Sequence, residues 1–303
     1  MRLRLCGSGL AAALALVAMG CGGGGSDTGV AAAPISLEQL ARSARTSADA
    51  TSGRFSFDMS LSNPDADEPF ALSGEGAFDA RSKRASMSLD LSSLAKLLGG
   101  FVAGVAGSSS GDLPKLDDPE GWKIQVVRDG SVAYVRFPAF DDKLPAGKSW
   151  IRGDENGLST DGFDFGQFTN NDPRQVLDAL RAVTGDVQTV GTEELRGAET
   201  THYRAVVDPA RVAKQTPGND GQTAQSLLGL LTSEAGLGDI PVDVWLDSDG
   251  LVRKLTLELN ASDPATSQPG SATMSFELWD YGKAIAIHVP PASQVVAAAA
   301  LHG

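Results

Sequence analysis

Residues 53–62 read Gly-Arg-Phe-Ser-Phe-Asp-Met-Ser-Leu-Ser, and this stretch decides the fold. From Phe55 to Leu61, large apolar side chains occupy every second position, and polar side chains lie between them. A period of two is typical of a β-strand with one face buried and the other in water. The same alternation returns at 70–78 and at 85–91, each time after a polar turn. The three stretches predict an antiparallel meander.

Further strands are expected towards the C-terminus. The runs 122–127 and 131–137 flank Asp129-Gly130, and Asp-Gly between two alternating runs is a strong hairpin signal. A second hairpin is expected over 242–259, with its turn at 247–250. The remaining expected strands begin at Trp150 or cover 187–190, 200–207, 273–281 and 285–289. The sequence therefore predicts about ten strands in all.

Helices are expected at four places. Ser36 and Gln39 form a capping-box pattern ahead of a stripe of Leu and Ala at helical spacing. Pro173 opens a second helix over 172–183, since proline is favoured at the first helical position. Shorter helices are expected after Asp208 and over the leucine-rich residues 223–235. The predicted fold class is α+β, a broad curled antiparallel sheet or half-barrel with three or four helices covering its concave face.

The extreme N-terminus has the pattern of an export signal. Arg2 and Arg4 precede an apolar run over 10–17, and Ala18-Met-Gly20 provides small residues before Cys21. The run is too short for a mature membrane span, which needs about 20 residues. A cysteine directly after such a signal resembles the lipobox of bacterial lipoproteins, in which the thiol becomes acylated, although the position three before it is usually Leu. The alternative is an ordinary signal peptide in which Cys21 is incidental.

The residues after Cys21 are rich in glycine and serine, as expected of a flexible tether. Residues 22–35 would have a root-mean-square span of about 20 Å. Two or more acyl chains, palmitate among them, would hold the protein firmly at a membrane. The expected organisation is a signal peptide at 1–20, a tether at 21–35 and one domain at 36–303. The expected location is the cell envelope, at the outer face of the cytoplasmic membrane.

Composition excludes several classes of function. The formal charge is −13. An acidic surface is repelled by nucleic acid and by anionic lipid headgroups, so residence at a membrane would depend on the anchor. Cys6 leaves with the signal, so Cys21 is the only cysteine of the exported chain. We therefore expect no disulfide, no zinc–thiolate site and no cysteine nucleophile.

The search for catalytic residues finds isolated candidates. The three histidines, His202, His288 and His302, lie in separate segments. Residues 107–111 match the G-x-S-x-G pattern around Ser109, but they lie in a Gly/Ser run without the strand and helix that a nucleophile elbow requires.

Residues 247–250 resemble part of a calcium loop, yet Thr256 stands where the loop needs Glu. They are better explained as a hairpin turn. We expect no enzyme activity, no cofactor and no metal site.

The apolar, glycine-rich stretch 94–107 has two possible explanations. It could be a core helix with a loose end, or a flap over an apolar cavity, in which glycine permits opening. If a cavity exists, the expected lining residues are Phe55, Phe57, Met59, Leu72, Phe78, Met87, Leu89, Leu97, Leu98, Phe101, Val102 and Val105.

Three groups of residues resemble a known family. They are 132–151 with Leu144-Pro-Ala-Gly-Lys148, then 191–208, and then 240–253 with Val242-Asp-Val-Trp245. Together they resemble the LolA-like envelope lipoproteins of actinobacteria, over residues 36 to about 290. The resemblance implies a half-barrel closed by helices around an apolar cavity, and a lipid or lipoglycan as ligand. It also implies that Trp150, Tyr203 and Trp245 are packing residues.

Three functions follow as hypotheses. The first is a membrane-anchored carrier or chaperone that binds a hydrophobic molecule, such as an acyl lipid or lipoglycan, in an apolar cavity. The second is a non-enzymatic accessory module of the envelope with a filled core and a protein partner. The third, a hydrolase acting through Ser109, has the least support.

Overall fold

The computed structural model describes residues 34–62, 69–93, 119–154, 159–160, 163–164, 173–208, 240–262 and 269–301. Strands dominate this part of the chain. It contains one helix of three turns, α1 (Leu37–Ala48), and five 3₁₀ segments. The 3₁₀ segments are Pro119–Trp122, Pro138–Lys143, Pro173–Ala182, Ala292–Gln294 and Ala298–Ala300.

Fourteen strands are described. They are β1 (Ser52–Ser62), β2 (Phe70–Asp79), β3 (Arg84–Asp90), β4 (Lys123–Asp129), β5 (Val132–Arg136), β6 (Trp150–Asp154), β7 (Ser159–Thr160), β8 (Phe163–Asp164), β9 (Val183–Leu195), β10 (Ala198–Val207), β11 (Ile240–Asp247), β12 (Val252–Ser262), β13 (Pro269–Trp279) and β14 (Val295–Ala297).

Twelve of these strands form one large curled sheet. Their order is β14-β6-β5-β4-β3-β2-β1-β13-β12-β11-β10-β9, and β7 pairs only with β8. Neighbouring strands are antiparallel throughout the large sheet, except that β14 runs parallel to β6. Strands β14 and β9 are the two edges, so the sheet is open. The antiparallel sheet predicted from sequence is confirmed, with twelve strands in place of about ten.

The register separates the two faces of the sheet by polarity. Phe57 of β1 lies beside Phe276 of β13 and Gly74 of β2, whereas its neighbour Asp58 lies beside Ser275 and Ser73. We call the face that carries Phe57 the inner face and the opposite face the outer face. On β1, β2, β12 and β13, the described inner positions from 53 to 61, 70 to 78, 255 to 259 and 272 to 278 are all apolar residues or glycine.

Helix α1 packs on the inner face. Its predicted capping box is present, because Gln39 N–H donates to Ser36 Oγ at 3.2 Å and Ser36 N–H donates to Gln39 Oε1 at 2.7 Å. Leu40 is fully buried in a cluster with inner-face residues of β1, β2 and β10 to β13. Ser47 Oγ accepts a hydrogen bond of 2.8 Å from the backbone N–H of Val252, the first residue of β12. The helix is thus held by both packing and a buried hydrogen bond.

Residues 280–294, which we call the strap, pass over the outer face at Ile285 and Ile287. They leave β13 and reach β14 beside β6, and in the sheet β1 to β5 lie between these two places. Ile287 is buried against Ala77 and Val127, which occupy outer positions of β2 and β4. A strand was expected at 285–289, and the structure contradicts this, because these residues pack on the sheet without pairing with it.

The helix predicted over 172–183 is a 3₁₀ helix in the structure and not an α-helix. The segment Pro173–Ala182 is 3₁₀, and the chain enters β9 directly at Val183. Leu177, Leu180 and Val183 are all buried, at a spacing of three residues. Residues three apart eclipse one another in a 3₁₀ helix, which has three residues per turn, so this spacing favours the tighter form.

The helix content is therefore lower than predicted in the described part, where α1 is the only α-helix of several turns. The helices expected after Asp208 and over 223–235, and the apolar stretch 94–107, lie outside the described residues. None of the described helices is long and apolar enough to cross a bilayer.

Candidate functional site

Phenylalanine rings lie flat against glycines on the inner face. A Cβ built on Gly76 would stand 2.4 Å from the Phe55 ring, and one on Gly74 would stand 2.6 Å from the Phe57 ring. Phe55 also stacks on Phe276, with ring centroids 5.8 Å apart and planes 7° apart. The missing side chains of the two glycines therefore allow the rings to lie against the backbone of the next strand.

Two clusters of buried side chains fill the two sides of the inner face. The first gathers under α1 and includes Phe55, Phe78 and Leu40. The second gathers at β3 to β6 and includes Leu89 and Trp122. Both are close-packed, and their large members are less than a tenth exposed. These two sides are protein core.

Between and beside the clusters, the apolar side chains of the inner face are only partly buried. The half-buried apolar residues there are Phe57, Met59, Leu61, Phe70, Leu72, Met87, Leu257 and Met274. We call this set the inner apolar surface. Phe57 and Met87 pack against both clusters, so the surface is continuous with the core on either side.

A row of four residues crosses the centre of this surface. Leu257, Met274, Met59 and Leu72 are paired in register on β12, β13, β1 and β2. Paired residues on one face have Cβ atoms about 4.5–5.5 Å apart. The row therefore presents an apolar strip across four strands. An extended hydrocarbon chain could lie along it.

The predicted cavity-lining residues fall into three groups. Phe55, Phe78 and Leu89 lie in the closed clusters and are at most 5% exposed. Phe57, Met59, Leu72 and Met87 lie on the inner apolar surface. Leu97, Leu98, Phe101, Val102 and Val105 lie outside the described residues, as does Cys21.

Four residues of the inner apolar surface were missed in the cavity prediction: Leu61, Phe70, Leu257 and Met274. The signal was present, because residues 255–259 and 273–278 alternate as 55–61 does, and Leu61 and Phe70 belong to the alternating runs of β1 and β2. For Leu257 and Met274, alternation does not reveal which strands are neighbours. The register brings β13 next to β1 across more than 200 residues of sequence.

The outer face carries an ionic cluster around a buried carboxylate. Asp243 accepts hydrogen bonds from Arg204 at 3.0 and 3.2 Å and pairs with His202 at 2.5 Å. The hydrogen bond to Asp243 raises the pKa of Arg204. The His202 ring also stacks on Trp245, with centroids 4.2 Å apart, and the Trp245 indole donates to Glu193. His202 is therefore fully engaged in packing and pairing.

The other candidate residues from the sequence have structural roles. Asp247 accepts N–H groups from Asp249 and Leu251 and bonds Arg253 at 2.6 Å, as a hairpin turn requires. Tyr203 and Trp245 are buried packing residues, as the resemblance implied. Among the described residues there is no group of three or more His, Cys, Asp or Glu that could hold a metal ion.

Comparison of the sequence with known proteins finds a partial relative. No family model matches the chain. An uncharacterized 31.2 kDa protein from the rplA-rplJ intergenic region of Streptomyces griseus is 32% identical over 155 residues, which is 50% of this chain and 48% of the relative. The match thus spans about half the length of the curated relative.

Solved structures similar to this chain include two mycobacterial proteins and a LolA superfamily protein. The lipoprotein LppX from Mycobacterium tuberculosis is 14% identical, with a TM-score of 0.41 over 83% of this chain and 97% of its own. LprF from Mycobacterium bovis is 12% identical, with a TM-score of 0.43 over 84% and 96%. The LolA superfamily protein from Nitrosomonas europaea is 7% identical, with a TM-score of 0.26 over 84% and 96%.

At identities below 25% and TM-scores below 0.5, these likenesses assign neither a ligand nor a role to this chain.

Proposed function

We propose that this chain is an exported lipoprotein that binds a hydrophobic ligand against its inner apolar surface, as a carrier or chaperone. The acyl chains of a lipid or lipoglycan are the proposed ligand. Residues 1–20 are the proposed signal peptide, Cys21 the proposed acylated residue, and 21–35 the tether. The anchored protein would act at the outer face of the cytoplasmic membrane.

The observation that carries this proposal is the apolar row formed by Leu257, Met274, Met59 and Leu72. These side chains are half-buried, although the clusters on either side are closed. Covering apolar surface contributes about 25 cal/mol per Å², so a hydrocarbon chain would be held there without any polar partner. Two of the four residues are methionines, whose unbranched side chains adapt to ligands of different shape.

The test is the lipid content of the purified protein and of a matched pair of variants. Wild-type protein from a lipid-containing host should carry extractable lipid, close to one molecule per chain, detectable by mass spectrometry. Met59→Lys places a charge in the middle of the row and should reduce this content at least tenfold. The control is Ser60→Lys, one residue along β1 on the outer face, which should leave the content unchanged.

Thermal unfolding of all three proteins separates a loss of ligand from a loss of fold. If wild-type protein is free of lipid and also fails to bind a fluorescent fatty acid, the carrier function is wrong. The accessory module with a filled core would then be the better explanation.

A further inference from the structure

A groove of about 300 Å³ lies on the outer face. Its floor consists of outer positions of β1 to β4, among them Glu75, Ser88 and Gln125, which are paired in register on β2, β3 and β4. Trp279 of β13 and Trp150 of β6 line it as well. Its volume is at the lower end of the range for small-molecule sites, which begins at about 300 Å³.

Part of the floor of the groove is built from small side chains, with larger ones around them. Ala77, Ser86 and Ser88 lie on adjacent strands, with no bulky residue among them. The strap bounds one end, since Ile287 covers part of Ala77 and Val127. Trp150 packs with this apolar group and is therefore held in place.

The tryptophans present aromatic surface to whatever occupies the groove. The Arg196 guanidinium lies over the Trp279 ring at 3.8 Å from the centroid, and Arg196 also bonds Glu277 at 2.7 Å. One face of that ring is thus occupied by a fixed cation, and the ring lines the groove with its remaining surface. An indole offers an apolar plane that tolerates polar neighbours.

The floor offers hydrogen bonds of both kinds. Among the residues that the structure describes, the side chains of Glu75, Ser88 and Gln125 make no hydrogen bond or ion pair with another residue. They supply a carboxylate, a hydroxyl and an amide, which together donate and accept. Arg54 at the edge pairs with Asp280 of the strap at 3.4 Å, so its charge is already balanced.

These features select among ligand classes. A hydrocarbon tail would leave the polar floor without partners, at a cost for each group. An extended peptide has no free strand edge to pair with here, since β1 to β4 are interior strands. An anion would meet the Glu75 carboxylate and a chain of net charge −13.

We infer that the outer groove is a carbohydrate-binding site for a short, neutral oligosaccharide. Sugar rings have an apolar C–H face that packs on indole, and hydroxyl groups around the rim that bond carboxylate, hydroxyl and amide side chains. The groove is lined mainly by outer positions and shares one lining residue, Met87, with the inner apolar surface. The inference therefore goes beyond the proposed lipid-binding function and does not rest on it.

The test measures saccharide binding to the full chain by titration calorimetry and saturation-transfer NMR. The probes are linear trisaccharides of glucose, mannose and arabinose, and the detergent used for purification must carry no sugar headgroup. Wild-type protein should bind at least one of them. Ser88→Phe fills the groove and should weaken binding at least tenfold.

A second variant and a control complete the experiment. Glu75→Ala removes one charged hydrogen-bond partner and should weaken binding about tenfold, equivalent to about 1.4 kcal/mol. Ser60→Phe adds the same ring as Ser88→Phe to the outer face of β1, outside the groove, and should bind like wild type. Absence of binding to every trisaccharide, or equal binding by Ser88→Phe and wild type, would overturn the assignment.

Discussion

At the residue scale, Tyr281 joins the strap, the sheet and α1. Its hydroxyl donates a hydrogen bond of 2.6 Å to the backbone oxygen of Val252, whose own N–H donates to Ser47 Oγ. Burial raises the pKa of the Tyr281 hydroxyl above its ordinary range. The backbone N–H and oxygen of Val252 thus have hydrogen-bond partners on α1 and on the strap, two elements that are distant in sequence.

Replacing Tyr281 by Phe should destabilise the fold at neutral pH by about 1–3 kcal/mol, because Val252 O loses its partner in a largely buried place. The wild type should also lose stability above about pH 10, where a tyrosine of the unfolded chain ionises first while the folded one stays protonated. Tyr281→Phe should lack this part of the alkaline loss. Urea denaturation of both proteins between pH 7 and pH 11 measures the difference.

A parallel loss of stability in wild type and Tyr281→Phe on the alkaline side would show that the Tyr281 hydroxyl is not protected. Tyr134→Phe is the control for the removal of a tyrosine hydroxyl at another place in the fold. Tyr134 lies on the outer side of β5 against the strap.

At the element scale, β2 depends on two glycines that make room for phenylalanine rings. A Cβ on Gly76 would stand 2.3 Å from the backbone oxygen of Ser86 and 2.4 Å from the Phe55 ring. The backbone of β3 cannot move without breaking its ladder, so the clash is not relieved by a side-chain rotation. The close approach of β2 to its neighbours therefore requires glycine at this position.

Gly76→Ala should destabilise the protein by about 1–3 kcal/mol or more, as overpacking of a core does. Gly191→Ala in β9 is the matched control, since a Cβ there meets nothing within 4 Å. That change should be neutral or slightly stabilising, because alanine restricts the unfolded chain. Chemical denaturation measures the unfolding free energy of both variants, compared at the same dependence on denaturant concentration. Equal stabilities would contradict the packing described for Phe55.

The period of two made most of the sheet predictable. Strands β1, β2, β3 and the two hairpins carry clear alternation, and the capping box marks the start of α1. Strand β14 has three residues, too few for a period, and it pairs with β6 through tertiary contacts alone. Apolar spacings of three and four are mixed over 176–183, which predicts an α-helix, whereas the structure has a 3₁₀ segment at Pro173–Ala182.

The candidate site was predictable only in part, for a related reason. Alternation tells which residues share a face, and Phe57, Met59, Leu72 and Met87 were found in that way. It does not tell which part of the face is closed by a helix. Phe55 and Phe78 have the same pattern as Phe57, yet they lie under α1.

At the scale of the whole molecule, the acidic charge and the proposed anchor act in opposite directions at a membrane. A chain of net charge −13 is repelled by anionic headgroups. Residence at the membrane would then depend on acyl chains at Cys21, and two or more chains suffice for stable attachment. This attachment would keep the protein near the membrane that holds its ligands, on a tether with a span of about 20 Å.

Cys21→Ser should therefore move the protein from the membrane to the soluble fraction of the envelope, whereas Cys6→Ser, in the proposed signal peptide, should leave it attached. Wild-type protein should resist extraction with 1 M NaCl and dissolve in detergent, because salt screens charges and leaves apolar burial intact. Cell fractionation, with mass spectrometry of the peptide that begins at Cys21, measures both. Membrane attachment of Cys21→Ser equal to that of wild type would show that another part of the chain holds it there.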